Sequence, residues 1–197
     1  MEFRNKVLII GYGAVSKCTL PILLKHIKIP YKNITIIDFV DRAKPLKSWT
    51  DKGITYFRKK ITPFNITQEL SKHVSGGGLI IDLAWNISCI DILTWCHENK
   101  VLYVNTSVEE WDPYADIHSK NALEKSLYFR HMKLREMIST WNNSTTAVVD
   151  HGANPGLISH FTKQGLIDIA KKLLKDKAAP KKYIKTIEKL ISEKDFA

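Results

Sequence analysis

A run from Lys6 to Ile10, apolar after its first residue, stops in the turn Gly11-Tyr12-Gly13-Ala14-Val15-Ser16. A second apolar run, Ile34-Thr35-Ile36-Ile37, stops in Asp38. This order constrains the fold strongly. A continuous apolar run reads as a strand buried on both faces, which is the signature of a parallel sheet covered by helices. Gly11 permits a tight turn out of that strand, and Gly13 leaves room for a pyrophosphate above the N-terminus of the helix that follows. That helix is predicted over Ala14–His26, continuing through Pro21. Asp38 lies about 20 residues beyond the turn, where a carboxylate accepts both ribose hydroxyls of a dinucleotide's adenosine half. The pattern therefore predicts NAD binding, with Gly11, Gly13, Ala14, Val15, Ser16 and Asp38 as cofactor residues. Ser16 stands where a third glycine is usual, so the reading expects either wider helix-strand packing or a hydroxyl turned to the phosphate. Asp38 favours a ribose diol over a 2′-phosphate, hence NAD over NADP, while the nearby Arg42 points the other way.

Strand and helix patterns alternate along the chain. Strands are predicted at Lys6–Ile10, Ile34–Asp38, near Thr55–Phe57, at Leu79–Leu83, Leu102–Asn105 and Thr146–Val149. Helices are predicted at Ala14–His26, Gln68–Val74, from Ser88 to Lys100 with Asp91 as a capping partner, Asn121–Trp141, and Leu157–Lys175. Ala178-Ala179-Pro180 separates a last amphipathic helix carrying Ile184, Ile187, Leu190 and Ile191 on one stripe. The expected architecture is α/β, a Rossmann-like doubly wound parallel sheet with only the start of a second domain. Residues 1–160 form the predicted dinucleotide-binding domain, and 161–197 a helical segment leading into the missing part.

The net charge of +10 raises the question of a nucleic-acid partner. Half of that charge lies in residues 171–197, where nine lysines stand against Asp176, Glu188, Glu193 and Asp195. There the lysines surround an apolar stripe, as on any solvated amphipathic helix, with no Gly-rich or aromatic-interleaved basic tract. No nucleic-acid partner is expected. No apolar run approaches the roughly 20 residues of a membrane span, and residues 1–6 lack the apolar core of a secretory signal, so a cytoplasmic protein without membrane contact is expected. Cys18, Cys89 and Cys96 form no Cys-x-x-Cys pair, and the seven histidines show no ligand spacing, so neither a disulfide nor a metal is expected.

In doubly wound sheets the ligand sits beyond the carboxyl ends of the strands. The residues there are Gly11–Ser16, Asp38, Asp82 to Asn86, Asn105-Thr106-Ser107 with Glu109, and Asp150 to Asn154. The stretch Glu109-Glu110-Trp111-Asp112-Pro113-Tyr114-Ala115-Asp116 packs four carboxylates and two large aromatics into eight residues. It can hold a cationic amine through carboxylates and ring faces, or serve as an acidic approach to the next helix. Glu109 is closest to the strand end. In Asp150-His151-Gly152-Ala153-Asn154-Pro155-Gly156, Asn154 can face nicotinamide or a substrate amine, or cap the helix after it as an Asx turn. His151 is a candidate acid or base, and Trp85-Asn86 either line the pocket or start the next helix.

Together these motifs resemble the bacterial homospermidine synthases, relatives of the saccharopine reductases. The resemblance rests on Ile10-Gly11-Tyr12-Gly13, Thr19-Leu20-Pro21, Tyr103-Val104-Asn105-Thr106 followed by Val108-Glu109 and Trp111, and Thr146-Ala147-Val148 through Gly152-Ala153-Asn154-Pro155-Gly156. It implies an aminobutyl transfer with no net consumption of NAD: putrescine is oxidised to an imine, a second diamine displaces ammonia, and reduction of the new imine yields homospermidine. It implies Glu109, Asn154 and Asn86 in a pocket for putrescine or a related diamine, with Trp111 as a wall. It also implies Gly11, Gly13, Ser16, Asp38 and Thr106 at the cofactor. Family members are more than twice as long, so the chain reads as truncated after Lys194-Asp195-Phe196-Ala197, and homo-oligomers are expected where the full architecture is completed. Ile184, Ile187, Leu190 and Ile191 would then be exposed. The alternatives are a saccharopine-reductase-like amino-acid or opine dehydrogenase and a non-catalytic NAD-binding module.

Overall fold

The computed structural model describes residues 1–115, 118–142, 145–154 and 156–193. Of the residues singled out above, Asp116, Pro155, Lys194, Asp195, Phe196 and Ala197 lie outside them. The chain divides into two compact units, Met1–Asp150 and His151–Ala197.

The first unit is built on six parallel strands: β1 (Val7–Ile10), β2 (Ile34–Asp38), β3 (Thr55–Arg58), β4 (Leu79–Asp82), β5 (Leu102–Asn105) and β6 (Ala147–Val148). Their order across the sheet is β3-β2-β1-β4-β5-β6, the Rossmann order. Parallel strands require crossover connections, and the helices that supply them are α1 (Ala14–His26), α2 (Ala43–Thr50), α3 (Ile66–His73), α4 (Cys89–Asn99) and α5 (Leu127–Ser139). All four residues of β1 are buried, and the side chains alternate between two apolar clusters. Leu8 and Ile10 join Ile80, Leu70 and Tyr103, whereas Val7 and Ile9 join Ile34, Ile36 and Leu20. A sheet covered on both faces follows from this division, as the unbroken apolar runs predict.

Register fixes the functional edge. Ile10 lies opposite Ile37 on one side and Asp82 on the other, and Asp82 lies opposite Asn105. The residues that follow, Gly11, Asp38, Leu83 and Thr106, therefore emerge side by side along the carboxyl edge of the sheet.

Two elements depart from the sequence expectation. The helix expected from Asn121 begins only at Leu127, where Ser126 accepts a hydrogen bond from the Phe129 N–H. Asn121 and Glu124 do make reciprocal side-chain-to-backbone bonds, the local signature of a capping box, but they close a turn instead of opening a helix. The helix α2 was not expected: its Pro45 sits in the first turn, where a missing N–H costs nothing, and only Leu46 is buried.

The second unit contains α6 (Leu157–Lys175), a 3-10 turn at Lys181–Tyr183 and α7 (Ile184–Glu193), with α7 packed on α6. Because of that packing Ile184, Ile187, Leu190 and Ile191 are half-buried, not exposed as the sequence reading expects, and Lys185 and Lys189 face solvent. Among the described residues no helix is long and apolar enough to cross a membrane. No group of three or more His, Cys, Asp or Glu is placed among them to hold a metal ion.

Candidate functional site

Gly11 leaves β1 with φ +87°, in the left-handed region. A Cβ there would lie 2.9 Å from the Leu83 carbonyl oxygen and 3.0 Å from the Ala84 Cα, so the turn closes directly on the backbone after β4. Its N–H donates to the Ile37 carbonyl at 2.8 Å. Gly13, the N-cap of α1, has nothing within 4 Å of where a Cβ would be, and no side chain caps the helix. Open space above first-turn N–H groups that lack side-chain partners is the arrangement that receives an anion. Ser16 is buried, and its hydroxyl donates to the Gly11 carbonyl. The hydroxyl is spent inside the turn, so the expectation that it faces a phosphate is corrected.

Beside this turn lies a cavity of about 340 Å³ whose walls include Gly11, Gly13, Asp38, Arg42, Trp85 and Asn86. Asp38 is buried at the tip of β2. One carboxylate oxygen accepts from the Val40 N–H at 2.8 Å; the other accepts from the Tyr12 N–H at 2.8 Å and the Arg42 Nε at 3.2 Å. With two acceptor positions per oxygen, only the oxygen bonded to Val40 retains capacity in this arrangement. Asp38 as placed can take one ribose hydroxyl rather than both. Lys59 and Lys60 also line this cavity. Ala14 and Val15 do not; they form a shallow apolar surface with Cys18 and Ile22 on α1. Thr106, half-buried just after β5, lines neither this cavity nor that surface.

A second pocket of about 240 Å³ contains Glu109, Glu110, Tyr114, Lys120 and Arg130, and Trp85 is in the wall of both. Trp85 is 64% exposed, so its ring faces are open to a ligand. The Ser107 hydroxyl donates to Glu109 Oε1 at 2.6 Å. Glu110 lies 3.8 Å from Lys120 and 3.7 Å from Arg130, so its charge is already met. Trp111 is not a free wall: its indole N–H donates to Asp91 at 2.6 Å, and its ring packs on the core. Asn86, with φ +63°, accepts the Asp112 N–H at 2.6 Å and so fastens the acidic loop to the wall of the first cavity. The alternative reading of this loop as a helix lead-in finds no support, since α5 starts at Leu127 with no acid in its first turn.

Beneath the strand tips runs a buried polar file that the sequence reading did not assemble. The Tyr103 hydroxyl donates to Asp82 at 2.8 Å and accepts from the Asn105 side-chain amide at 2.8 Å. The Asn105 side-chain oxygen Oδ1 accepts the Asp150 N–H at 2.7 Å, and the Asp150 carboxylate meets His131 at 2.7 Å. Burial pushes the Asp82 carboxyl up to about 6, against the opposing hydrogen bonds from Tyr103 and Ala84. Burial likewise pushes the Cys89 thiol up to about 11. Asp82 and Asn105 could be listed from sequence because they end strands, and Asp150 because it follows one. Tyr103, within a strand, and His131, on a distant helix, carried no signal of their own.

In the second unit Asn154 is exposed in the loop before α6. The N-cap of α6 is Gly156, with φ +111° and no side-chain cap bond. The helix start is tied instead by main-chain bonds from Leu157 to Gly152 at 3.0 Å and from Ile158 to Ala153 at 3.1 Å. The Asx-cap reading of Asn154 is thereby set aside. His151 is engaged with His160, Nε2 to Nε2 at 3.3 Å.

Comparison with known proteins adds to this geometry. Residues 7–148 match the family described as the saccharopine dehydrogenase NADP binding domain. The chain is 29% identical over 173 residues to a homospermidine synthase of Mesorhizobium japonicum, covering 86% of this chain and 35% of that one. It is 30% identical over 168 residues to a homospermidine synthase of Blastochloris viridis, covering 83% of this chain and 35% of the relative. Among solved structures it is similar to the homospermidine synthase of Legionella pneumophila crystallised in complex with NAD, with a TM-score of 0.70 and 27% identity over 87% of this chain and 34% of that one. The chain spans about a third of the length of these relatives.

Proposed function

We propose, from the premise that this chain belongs to the saccharopine dehydrogenase NADP-binding domain family, that it binds NAD and forms the dinucleotide-binding part of a homospermidine synthase-like aminobutyltransferase acting on putrescine or a related diamine. The observation that carries the reading is the pairing of two pockets across Trp85: one contains the glycine turn and Asp38, the other Glu109. The fit to a dinucleotide rests on this chain's own geometry. Gly11 closes against Leu83 and Ala84, Gly13 leaves open space over α1, and Asp38 keeps one acceptor position for a ribose hydroxyl.

The chemistry supplied by the bound dinucleotide is reversible hydride transfer, which lets an amine carbon be oxidised and later reduced with no net redox change. The chain's own part is to bind and orient. Glu109, fixed by Ser107, and Glu124, which accepts the Asn121 N–H, are the carboxylates of this pocket that have no cation within ion-pair distance among the described residues; Glu109, the one next to the strand end, is assigned to a diamine's ammonium. The open faces of Trp85 add cation–π attraction, on the order of 1 kcal/mol. Asn86 holds the acidic loop through Asp112, a positioning role in place of the substrate contact implied by resemblance. Asn154 carries its assignment from the Gly-Ala-Asn-Pro-Gly motif alone.

Calorimetry of the chain with NAD, followed by incubation with putrescine, tests the proposal. Homospermidine formation without net change at the nicotinamide absorbance band supports it, and absence of NAD binding overturns it. A second reading, an NADP-linked saccharopine-reductase-like dehydrogenase, is favoured by Arg42, Lys59 and Lys60 in the cavity that holds Asp38. A net rise in nicotinamide absorbance in a parallel incubation with NADP and an amino-acid-derived secondary amine would select it. Binding with no turnover leaves either a non-catalytic module or a binding part that needs the rest of the enzyme.

A further inference from the structure

The buried file under the strand tips has no role in the site as described, although it is built from groups that are costly to bury. Asp82, Tyr103 and Asn105 are each at most 5% exposed. A network of this kind seldom contributes more stability than apolar side chains of the same shape would, so what it fixes is position. What Asp82 fixes can be read from its two oxygens. Oδ1 accepts the Ala84 N–H at 3.2 Å, and Oδ2 accepts the Tyr103 hydroxyl. Ala84 and Leu83 are the backbone against which Gly11 closes, and both line the dinucleotide cavity together with Trp85, Asn86 and Ile87. The Leu83 N–H is in turn bonded to the Ile10 carbonyl at 2.9 Å. Asp82 itself does not line the cavity.

We infer that Asp82 is a positioning residue for the dinucleotide cavity: held from below by Tyr103 and Asn105, its carboxylate sets the 83–87 wall at the height where it meets the glycine turn. The inference rests on reading that cavity as the dinucleotide site. Through Asn105 the same file reaches the Asp150 N–H, so one chain of hydrogen bonds levels the ends of β4, β5 and β6. The ionisable groups facing Asp82 are Tyr103 within the file, Cys89 and Cys96 on α4, and Glu109 on the loop after β5. Among these groups no cation stands near enough to neutralise Asp82, so its support comes from hydrogen-bond donors.

The test compares NAD affinity by calorimetry for the unaltered chain, Asp82→Ala and Asp82→Asn, with thermal melts to confirm folding. Asp82→Ala should weaken binding about tenfold, the scale of one lost buried hydrogen bond plus the freed loop. Asp82→Asn should stay within about threefold, because its amide oxygen still accepts the Ala84 N–H. A folded Asp82→Ala chain that binds NAD as well as the original overturns the inference. So does an equal loss in both variants, since the acceptor would then not be what matters. Should Asp82→Ala fail to fold, Tyr103→Phe takes its place: it leaves the cavity lining untouched and should weaken NAD about threefold, and unchanged affinity overturns the inference. Failure of the unaltered chain to bind NAD overturns the functional reading itself, and is seen before any variant is made.

Discussion

At Asp82 two donors serve the carboxylate, yet burial still raises its pKa from 3.8 to about 6. A folded-state pKa above the unfolded value means that the native state binds the proton more tightly. The stability this contributes is therefore complete below about pH 3.8 and is lost as pH rises through 6, on the order of 3 kcal/mol in all. Glu69 behaves oppositely: the hydrogen bond from Lys72 holds its carboxyl below the usual value, so its contribution is lost as pH falls. Subtracting the urea midpoints of Asp82→Asn from those of the unaltered chain between pH 4 and 7 isolates the first effect. The expected result is a chain that loses stability relative to the variant as pH rises, and a flat difference would remove Asp82 as the source. Gly11 gives a second residue-scale prediction. In Gly11→Ala the new Cβ meets main-chain atoms at 2.9–3.0 Å in a left-handed conformation, so neither the turn nor its neighbour can yield cheaply. A loss of more than 1 kcal/mol in denaturant unfolding is expected, together with loss of NAD binding. Gly13→Ala, with open space around its Cβ, should unfold nearly as the original does.

At the scale of elements, β1, β2 and α1 were legible because three signals agreed: apolar runs, a glycine turn and an acid at a strand end. α4 was legible through its cap. Ser88 accepts the Asp91 N–H at 3.2 Å, as the Ser-x-x-Asp spacing predicts, and Ser88→Ala should lower stability by about 1 kcal/mol, measured by denaturant titration. An unchanged midpoint would show that the tertiary packing of Cys89, Ile92 and Cys96 fixes the helix start without the cap. α2 was not legible, because Lys44, Pro45 and Lys47 interrupt any apolar period and leave only Leu46 and Trp49 to bury. The start of α5 was misplaced because Asn121 and Ser126 both offer helix-start chemistry, and only tertiary context chooses between them. The site shows the same division. Its backbone half, Gly11, Gly13 and Asp38, follows from local pattern. Its side-chain half depends on contacts distant in sequence, such as Asn86 to Asp112, Trp111 to Asp91, and His131 to Asp150, which no spacing rule encodes.

For the whole molecule, the distribution of buried apolar surface decides which part can fold by itself. Both apolar clusters lie wholly within residues 1–150, as does the hydrogen-bonded file from Asp82 to His131. Among the described residues of the second unit only Ile167 and Ala170 join the buried set, while Phe161, Ile169, Ile158 and Leu157 on α6 remain exposed. A chain ending at Asp150 keeps every strand of the sheet, and Asp150 itself stays anchored by its N–H to Asn105 and its carboxylate to His131. Such a fragment should melt cooperatively and bind NAD within about threefold of the full chain, because the glycine turn, Asp38 and the 83–87 wall are all inside it. Residues 151–197 alone bury too little apolar surface to offset their conformational entropy and should show little cooperative melting. The exposed α6 residues make a further difference measurable. The full chain should associate with rising concentration in sedimentation experiments, and the 1–150 fragment should do so less. A fragment that is unfolded while the full chain melts sharply would mean that the sheet depends on the helical unit, contrary to where the apolar contacts lie.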